Sequence, residues 1–331
     1  AMGSNRDRVL VMDYMQTALR PHLTGSFTDM LEAVVTHPAM LQFLGQNNSI
    51  GPNSVAGQRR NRGLNENLAR EVLELHTMGV SATYTQDDVR QFAELLTGLS
   101  YGPKGFVFRP RFVEPGEELV LGTAYGGDDI GAIRRALRDI SLREDTARHL
   151  AEKLIVHFIG GTPEPGHVAQ VSGAFLGSGG DLMAVYAALL DHEEAWVPEL
   201  RKAKQPFEFV ISSLRALGLK HRHFQSWKLP GYRRFFVRPL LEMGQPLMQP
   251  NGPDGWSEDP QDWITPAGLT ARIQWGNAVA QRHAKNADPR RFLQAALRDA
   301  ASEPLQLAVS RAETKHEGIA ITLASPDFNR R

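Results

Sequence analysis

Apolar residues recur at three- and four-residue spacing along most of this chain, which predicts amphipathic α-helices that each bury one stripe. Leu10, Tyr14 and Ala18 follow that spacing, as do Leu31, Val34 and Val35. Thr85 stands three residues ahead of Asp88, the signature of a capping box. Val89, Phe92, Leu95, Leu96 and Leu99 follow at helical spacing, with Gly98 and Gly102 near the end. Further helices are predicted over 128–139, 141–158, 165–176, 180–190, 206–217 and 266–283. Alternating Phe106, Phe108 and Phe112, then a Pro115-Gly116 turn signal and Leu119, Val120 and Leu121, predict one small hairpin within 105–121. Between 228 and 266 the helical pattern breaks into a long Pro/Gly-rich loop, and loops of that length tend to be functional. The fold expected is mainly α: an irregular multi-helix bundle carrying a hairpin and a long loop. Residues 5–290 are expected to form a single helical domain, with 291–331 a partly ordered tail and Ala1-Met2-Gly3-Ser4 a vector-derived scar.

Composition narrows the function classes. Of 331 residues, 42% are hydrophobic and 22% charged, the balance of an ordinary globular protein. Lys plus Arg equals Asp plus Glu at 37 each, so no global field draws a phosphate backbone, and nucleic acid is not expected as a partner. Basic clusters at Arg59, Arg60 and Arg62, and at Lys220, Arg222, Arg233 and Arg234, read as solvated faces. No apolar run approaches the roughly 18–20 residues of a membrane helix. With no cysteine, disulfides and thiolate chemistry are excluded, and any metal must be held by His, Asp or Glu.

The densest polar segment runs from Gly63 to Gly79. On a helix, Leu68, Val72 and Leu75 form one stripe and Asn67, Arg70, Glu71 and Glu74 another, with Asn65 as N-cap. Two carboxylates three residues apart, beside an arginine, can split into general acid and base. The same residues can also be a solvent-facing stripe in which Arg70 pairs with Glu74 one turn on. His76 falls near Val72 at the edge of the apolar stripe, where a satisfied, half-buried imidazole favoured in its charged form by the helix C-terminus is expected. His149, Lys153 and His157 share one face, and the ammonium between the imidazoles opposes a cation. Gln245, Trp256 and Trp263 in the Pro/Gly-rich loop, with Trp275 beyond it, offer amides and rings of the kind that read a sugar; the rings equally suit anchors for the loop. Gln46-Asn47-Asn48-Ser49 and Gly51-Pro52-Asn53-Ser54 form an amide-rich loop ahead of the polar segment.

His37-Pro38-Ala39-Met40-Leu41, the Gly63-to-Gly79 block, Tyr84-Thr85-Gln86-Asp87-Asp88-Val89, Leu96-Thr97-Gly98, Gly179-Gly180-Asp181-Leu182 and Gly244-Gln245-Pro246 through Gly255-Trp256 occur in an order that resembles the bacterial "domain of unknown function 1800" family. The resemblance implies a bacterial, usually exported protein, often encoded beside a family similar to sulfatases and phosphatases, with no activity or cofactor that it names. It also implies an upstream Trp-x-x-His-Phe element with no counterpart before residue 27, so the chain reads as truncated on that side. Three functions follow. The first is an extracytoplasmic glycan-acting enzyme or glycan-binding protein. In it Glu71 or Glu74 is the acid or base, Arg70 tunes them, and Asn65, Asn67, His76, Gln245, Trp256 and Trp263 bind the ligand. The second is a non-catalytic scaffold that docks a sulfatase-like partner. The third is a divalent-metal hydrolase using Glu71 and His76.

Overall fold

A computed structural model describes residues 5–59, 63–127, 129–284 and 286–331. The opening four residues and Arg60 and Arg62 of the first basic cluster lie outside the described residues. The protein is mainly α, and its chain divides into two compact units, Ala1–Phe158 with Thr162–Trp196, and Ile159–Gly161 with Val197–Arg331.

The first unit opens with α1 (Asn5–Tyr14), α2 (Phe27–Thr36) and α3 (Pro38–Phe43). His37 ends one helix and begins the next: its Nδ1 accepts from the Ala39 N–H at 3.1 Å, and Pro38 takes the first helical position, where no N–H is needed. Next come α4 (Asn67–Glu71), which runs on into a π-helical turn at Val72–His76, and α5 (Gln86–Leu95). The capping box of α5 forms as its sequence predicts: Thr85 Oγ1 accepts from the Asp88 N–H at 3.1 Å, and the Asp88 carboxylate accepts from the Thr85 N–H at 2.8 Å.

Two hairpins follow where the spacing pointed to one. Strands β1 (Leu99–Gly102) and β2 (Gly105–Phe108) pair with Leu99 opposite Phe108, and β3 (Glu117–Val120) and β4 (Thr123–Gly126) pair with Glu117 opposite Gly126. Leu99 keeps the helical spacing of α5 but begins a strand, because Gly98 at φ +91° turns the chain out of the helix one residue earlier. The second turn needs positive φ at both central residues; Gly122 adopts it freely, and Leu121, at φ 51°, is held by its N–H donating to the Asp88 carboxylate at 2.8 Å. Four helices complete the unit: α6 (Ile130–Ser141), α7 (Glu144–Phe158), α8 (Pro165–Gly177) and α9 (Leu182–Asp191). The predicted start at Asp128 lies outside the described residues, and Asp129 supplies the cap. Leu31, Val35, Leu41, Leu68, Val72, Phe92, Ile133 and Ile140 are among the buried residues of this unit.

The second unit is built around α10 (Pro206–Ala216), α11 (Arg238–Glu242), α12 (Pro260–Trp263), α13 (Pro266–His283), α14 (Pro289–Leu297), α15 (Glu303–Ser310), α16 (Lys315–Ala324) and α17 (Pro326–Asn329). Helices α13 and α16 pack along each other, and Phe209, Leu240, Trp275, Val279, Ile319, Leu323 and Phe328 share one core. The stretch expected to be loop from residue 228 is helical at Leu229–Tyr232, turns through a π-helix at Arg233–Val237 and enters α11; irregular chain begins only after Glu242. Pro230 and Pro239 do not break this run because both occupy first-turn positions. Buried Arg272 donates to Asn329 Oδ1 and to the Lys204 carbonyl, each at 2.7 Å, which fastens the C-terminal residues to the unit's interior.

Candidate functional site

The polar stripe of α4 forms a connected network. Arg70 at its centre donates from Nη1 to Glu74 Oε1 and from Nη2 to Glu66 Oε2, both at 3.2 Å, and from Nη2 to Gln86 Oε1 at 2.9 Å. Gln86 closes the ring by donating from Nε2 to the same Glu66 oxygen at 2.8 Å. The Tyr84 hydroxyl donates to Glu74; burial and then the Glu74 charge hold its pKa above the ordinary phenol value, against the opposing pull of Arg70. With side chains of Arg70, Glu66 and Glu74 at 40%, 33% and 26% exposure, the network is open to solvent along one side. Glu71 is half-buried beside it and Asn67 is exposed.

Sequence spacing anticipates the Arg70–Glu74 pair. Glu66 sits one turn back on the same segment, whereas Tyr84 and Gln86 come from the start of α5, and only the packing of α4 against α5 brings them in. Asn65, expected as the N-cap, lies one residue ahead of the cap position, which Glu66 occupies. Its Oδ1 accepts from the Asn67 N–H at 3.0 Å, and its Nδ2 reaches the carbonyls of Leu44 and Gly45 at 2.9 and 3.2 Å. Those bonds bind the helix start to the amide-rich loop, where buried Gln46 donates to the Leu96 carbonyl at 2.8 Å. Asn65 therefore positions the stripe through the backbone of its neighbours.

The π-helical turn changes the second half of the segment. It carries about one residue more per turn than an α-helix, and Val72 and His76, four apart, keep the shared face that their spacing predicts, with His76 half-buried there. Its Nδ1 is buried with no hydrogen-bond partner among the described residues. Burial lowers its pKa to about 4, which corrects the expectation of a satisfied imidazole favoured in its charged form. Burial is the cause, since it removes the water that would stabilise a second proton on the ring. After the turn, Gly79 at φ +86° lies so close to His149 that a Cβ there would stand 2.6 Å from Nδ1. His149 hydrogen-bonds the Leu75 carbonyl, and burial followed by the Lys153 charge lowers its pKa, in keeping with a structural face. Among the described residues no group of three or more His, Asp or Glu side chains is placed to hold a metal ion.

The remaining expected residues belong to the second unit. Gln245 is buried and locks the start of α10: its Oε1 accepts from the Phe207 N–H and its Nε2 donates to Gln205 Oε1, both at 2.7 Å. Trp263 is buried, donates its indole N–H to the Ser257 carbonyl at 2.9 Å, and meets Trp256 edge-on at 6.0 Å. Trp275 lies in the core with its indole N–H on the Phe235 carbonyl. Trp256, half-exposed, is the ring of this group that faces water.

Fold and site together define a mainly α protein that carries an open carboxylate–guanidinium–amide network on a helix broken by a π turn. Over residues 1–330 the chain matches the family described as "Protein of unknown function (DUF1800)", and it belongs to that family. No curated protein and no solved structure matches it. No helix among the described residues is long and apolar enough to cross a membrane.

Proposed function

We propose that the polar face of α4 binds a carbohydrate, and that the protein is a glycan-binding or glycan-acting protein working outside the cytoplasm. The observation that carries this reading is the single half-exposed network of Glu66, Arg70, Glu74, Gln86 and Tyr84. Planar carboxylate, guanidinium and amide groups held edge to edge suit pairs of sugar hydroxyls, and a neighbouring phenol ring suits the apolar face of a pyranose. Half-exposed ion pairs contribute only a few tenths of a kcal/mol each, so a five-residue network spanning two helices adds little stability for its size. Its value lies in the pattern it presents. Glu71 and Glu74 are the candidate acid and base, with Arg70 hydrogen-bonded to Glu74. The extracytoplasmic placement rests on the family resemblance. Trp256, whose ring is half-exposed, offers a second sugar-facing surface on the other unit, with buried Trp263 as its support.

A thermal-shift screen of wild type, Glu71→Gln and Arg70→Ala against bacterial polysaccharides, oligosaccharides and divalent cations tests this reading, since a ligand of the folded state raises its melting point. A shift from one sugar class, lost in Arg70→Ala, is expected. A shift from a divalent cation alone, altered in Glu71→Gln, would instead favour the metal hydrolase. No shift with any of them, together with a much lower melting point for Glu71→Gln, would make the stripe internal glue and favour the scaffold that docks a sulfatase-like partner.

A further inference from the structure

A second feature of the first unit lies beyond the polar stripe. Residues following the amide-rich loop, with the end of β2 and the residues after it, line an open cavity of about 700 Å³, among them Val55, Arg59, Phe108, Arg109, Arg111 and Phe112. That volume suits a small molecule. Three of these residues are arginines, and among the described residues none of the three forms an ion pair with a carboxylate. The nearby acid, Glu114, is buried and spent on the loop itself, accepting from the N–H and the side-chain amide of Asn53. The walls are tied together before any ligand arrives: the Ala56 N–H donates to the Arg111 carbonyl at 3.0 Å, the Gly51 N–H to the Phe112 carbonyl at 2.9 Å, and the Arg109 N–H to the Gly98 carbonyl at 2.8 Å. The Arg109 guanidinium is laid over the Phe112 ring, 5.4 Å from its centroid, which restricts its freedom further.

We propose that this cavity is a binding site for a small polyanion, a compact molecule bearing several phosphate or sulfate esters. Three guanidiniums around one space concentrate positive charge with no paired carboxylate among the described residues, and each planar fork matches an oxyanion with two parallel N–H donors. The rings of Phe108 and Phe112 add flat apolar surface for the body of the molecule between its charged groups. Because the backbone bonds hold the walls in place, binding does not have to order them first. A long nucleic acid fits less well, since the chain as a whole carries no net charge to hold a strand outside the cavity. The site is separate from the carbohydrate reading and does not depend on it.

Isothermal titration of the full chain with myo-inositol hexakisphosphate, sucrose octasulfate and a single-stranded oligonucleotide tests the proposal. Saturable binding of one or both polyanions is expected, weakened about tenfold by Arg109→Gln and by Arg111→Gln separately. Arg148→Gln, an exposed arginine on α7 paired with Asp145, should leave the affinity unchanged. Binding of the hexakisphosphate alone assigns phosphate esters, and of the octasulfate alone sulfate esters; either supports the site. Melting curves show whether each variant folds, and Arg111→Gln decides the matter if Arg109→Gln does not. Three results overturn the proposal: no binding of either polyanion up to about 1 mM, equal affinity across all variants, or tighter binding of the oligonucleotide than of both polyanions.

Discussion

At the scale of single residues, His76 and Arg70 lie six positions apart on one segment yet occupy opposite environments. Arg70 faces water and shares its charge among three acceptors, whereas His76 holds a buried nitrogen with no partner among the described residues. This gives a pH dependence with a definite sign. The pKa of His76 is lowered from 6.5 to about 4, so between those values the unfolded chain takes up a proton that the folded chain refuses. Stability from this residue is complete above pH 6.5 and declines as the pH falls towards 4, by roughly 3 kcal/mol in all. His37, His149, His167 and His283 are shifted in the same direction, so the contribution of His76 is the difference between wild type and His76→Gln. Urea unfolding of both proteins across this range should show a flatter profile for the variant, and parallel profiles would refute the assignment. The pair of Arg70 with Glu74 and the place of His76 beside Val72 were legible in the sequence because i, i+4 spacing fixes both within one segment; that the buried His76 Nδ1 has no partner among the described residues was not, because that depends on what packs against it.

At the scale of elements, Asp88 shows how one side chain serves two of them. It closes the capping box of α5 and also accepts the Leu121 N–H at the turn between β3 and β4. Desolvation works to raise its pKa, but the bonds from Thr85 and Leu121, with the Arg143 charge, prevail and lower it. Asp88→Ala should therefore cost more than the roughly 1 kcal/mol of an ordinary cap, while Thr85→Ala should cost about that amount. Chemical denaturation of the two variants measures the difference, and equal losses would mean that the hairpin does not rely on Asp88. The cap was visible in advance because its partners are three residues apart. Its second task was not, since Leu121 lies 33 positions away and carries no local signal. The helix starts and stops were largely readable for the same reason: Asp129, Glu164, Thr265 and Thr314 cap their own helices through contacts within one turn.

At the scale of the whole molecule, each of the two compact units buries apolar residues of its own, and Phe92 in the first and Phe209 in the second are both fully buried. Phe92→Ala and Phe209→Ala should each destabilise their unit by about 3–5 kcal/mol. Hydrogen exchange should show protection lost chiefly within the substituted unit; uniform loss through both units in each variant would show a single cooperative fold. The sequence by itself determined the α class, the main helices with their caps, the Arg70–Glu74 pair and the family, because each depends on residues within a turn of one another or on the order of short motifs. Only the tertiary structure decided that Tyr84 and Gln86 complete the network around Arg70, that the His76 Nδ1 is buried with no partner among the described residues, and that Arg59 shares a cavity with Arg109 and Arg111. Such meetings are set by how helices and loops distant along the chain pack, and hydrophobic spacing specifies which face of an element is buried without naming what it is buried against.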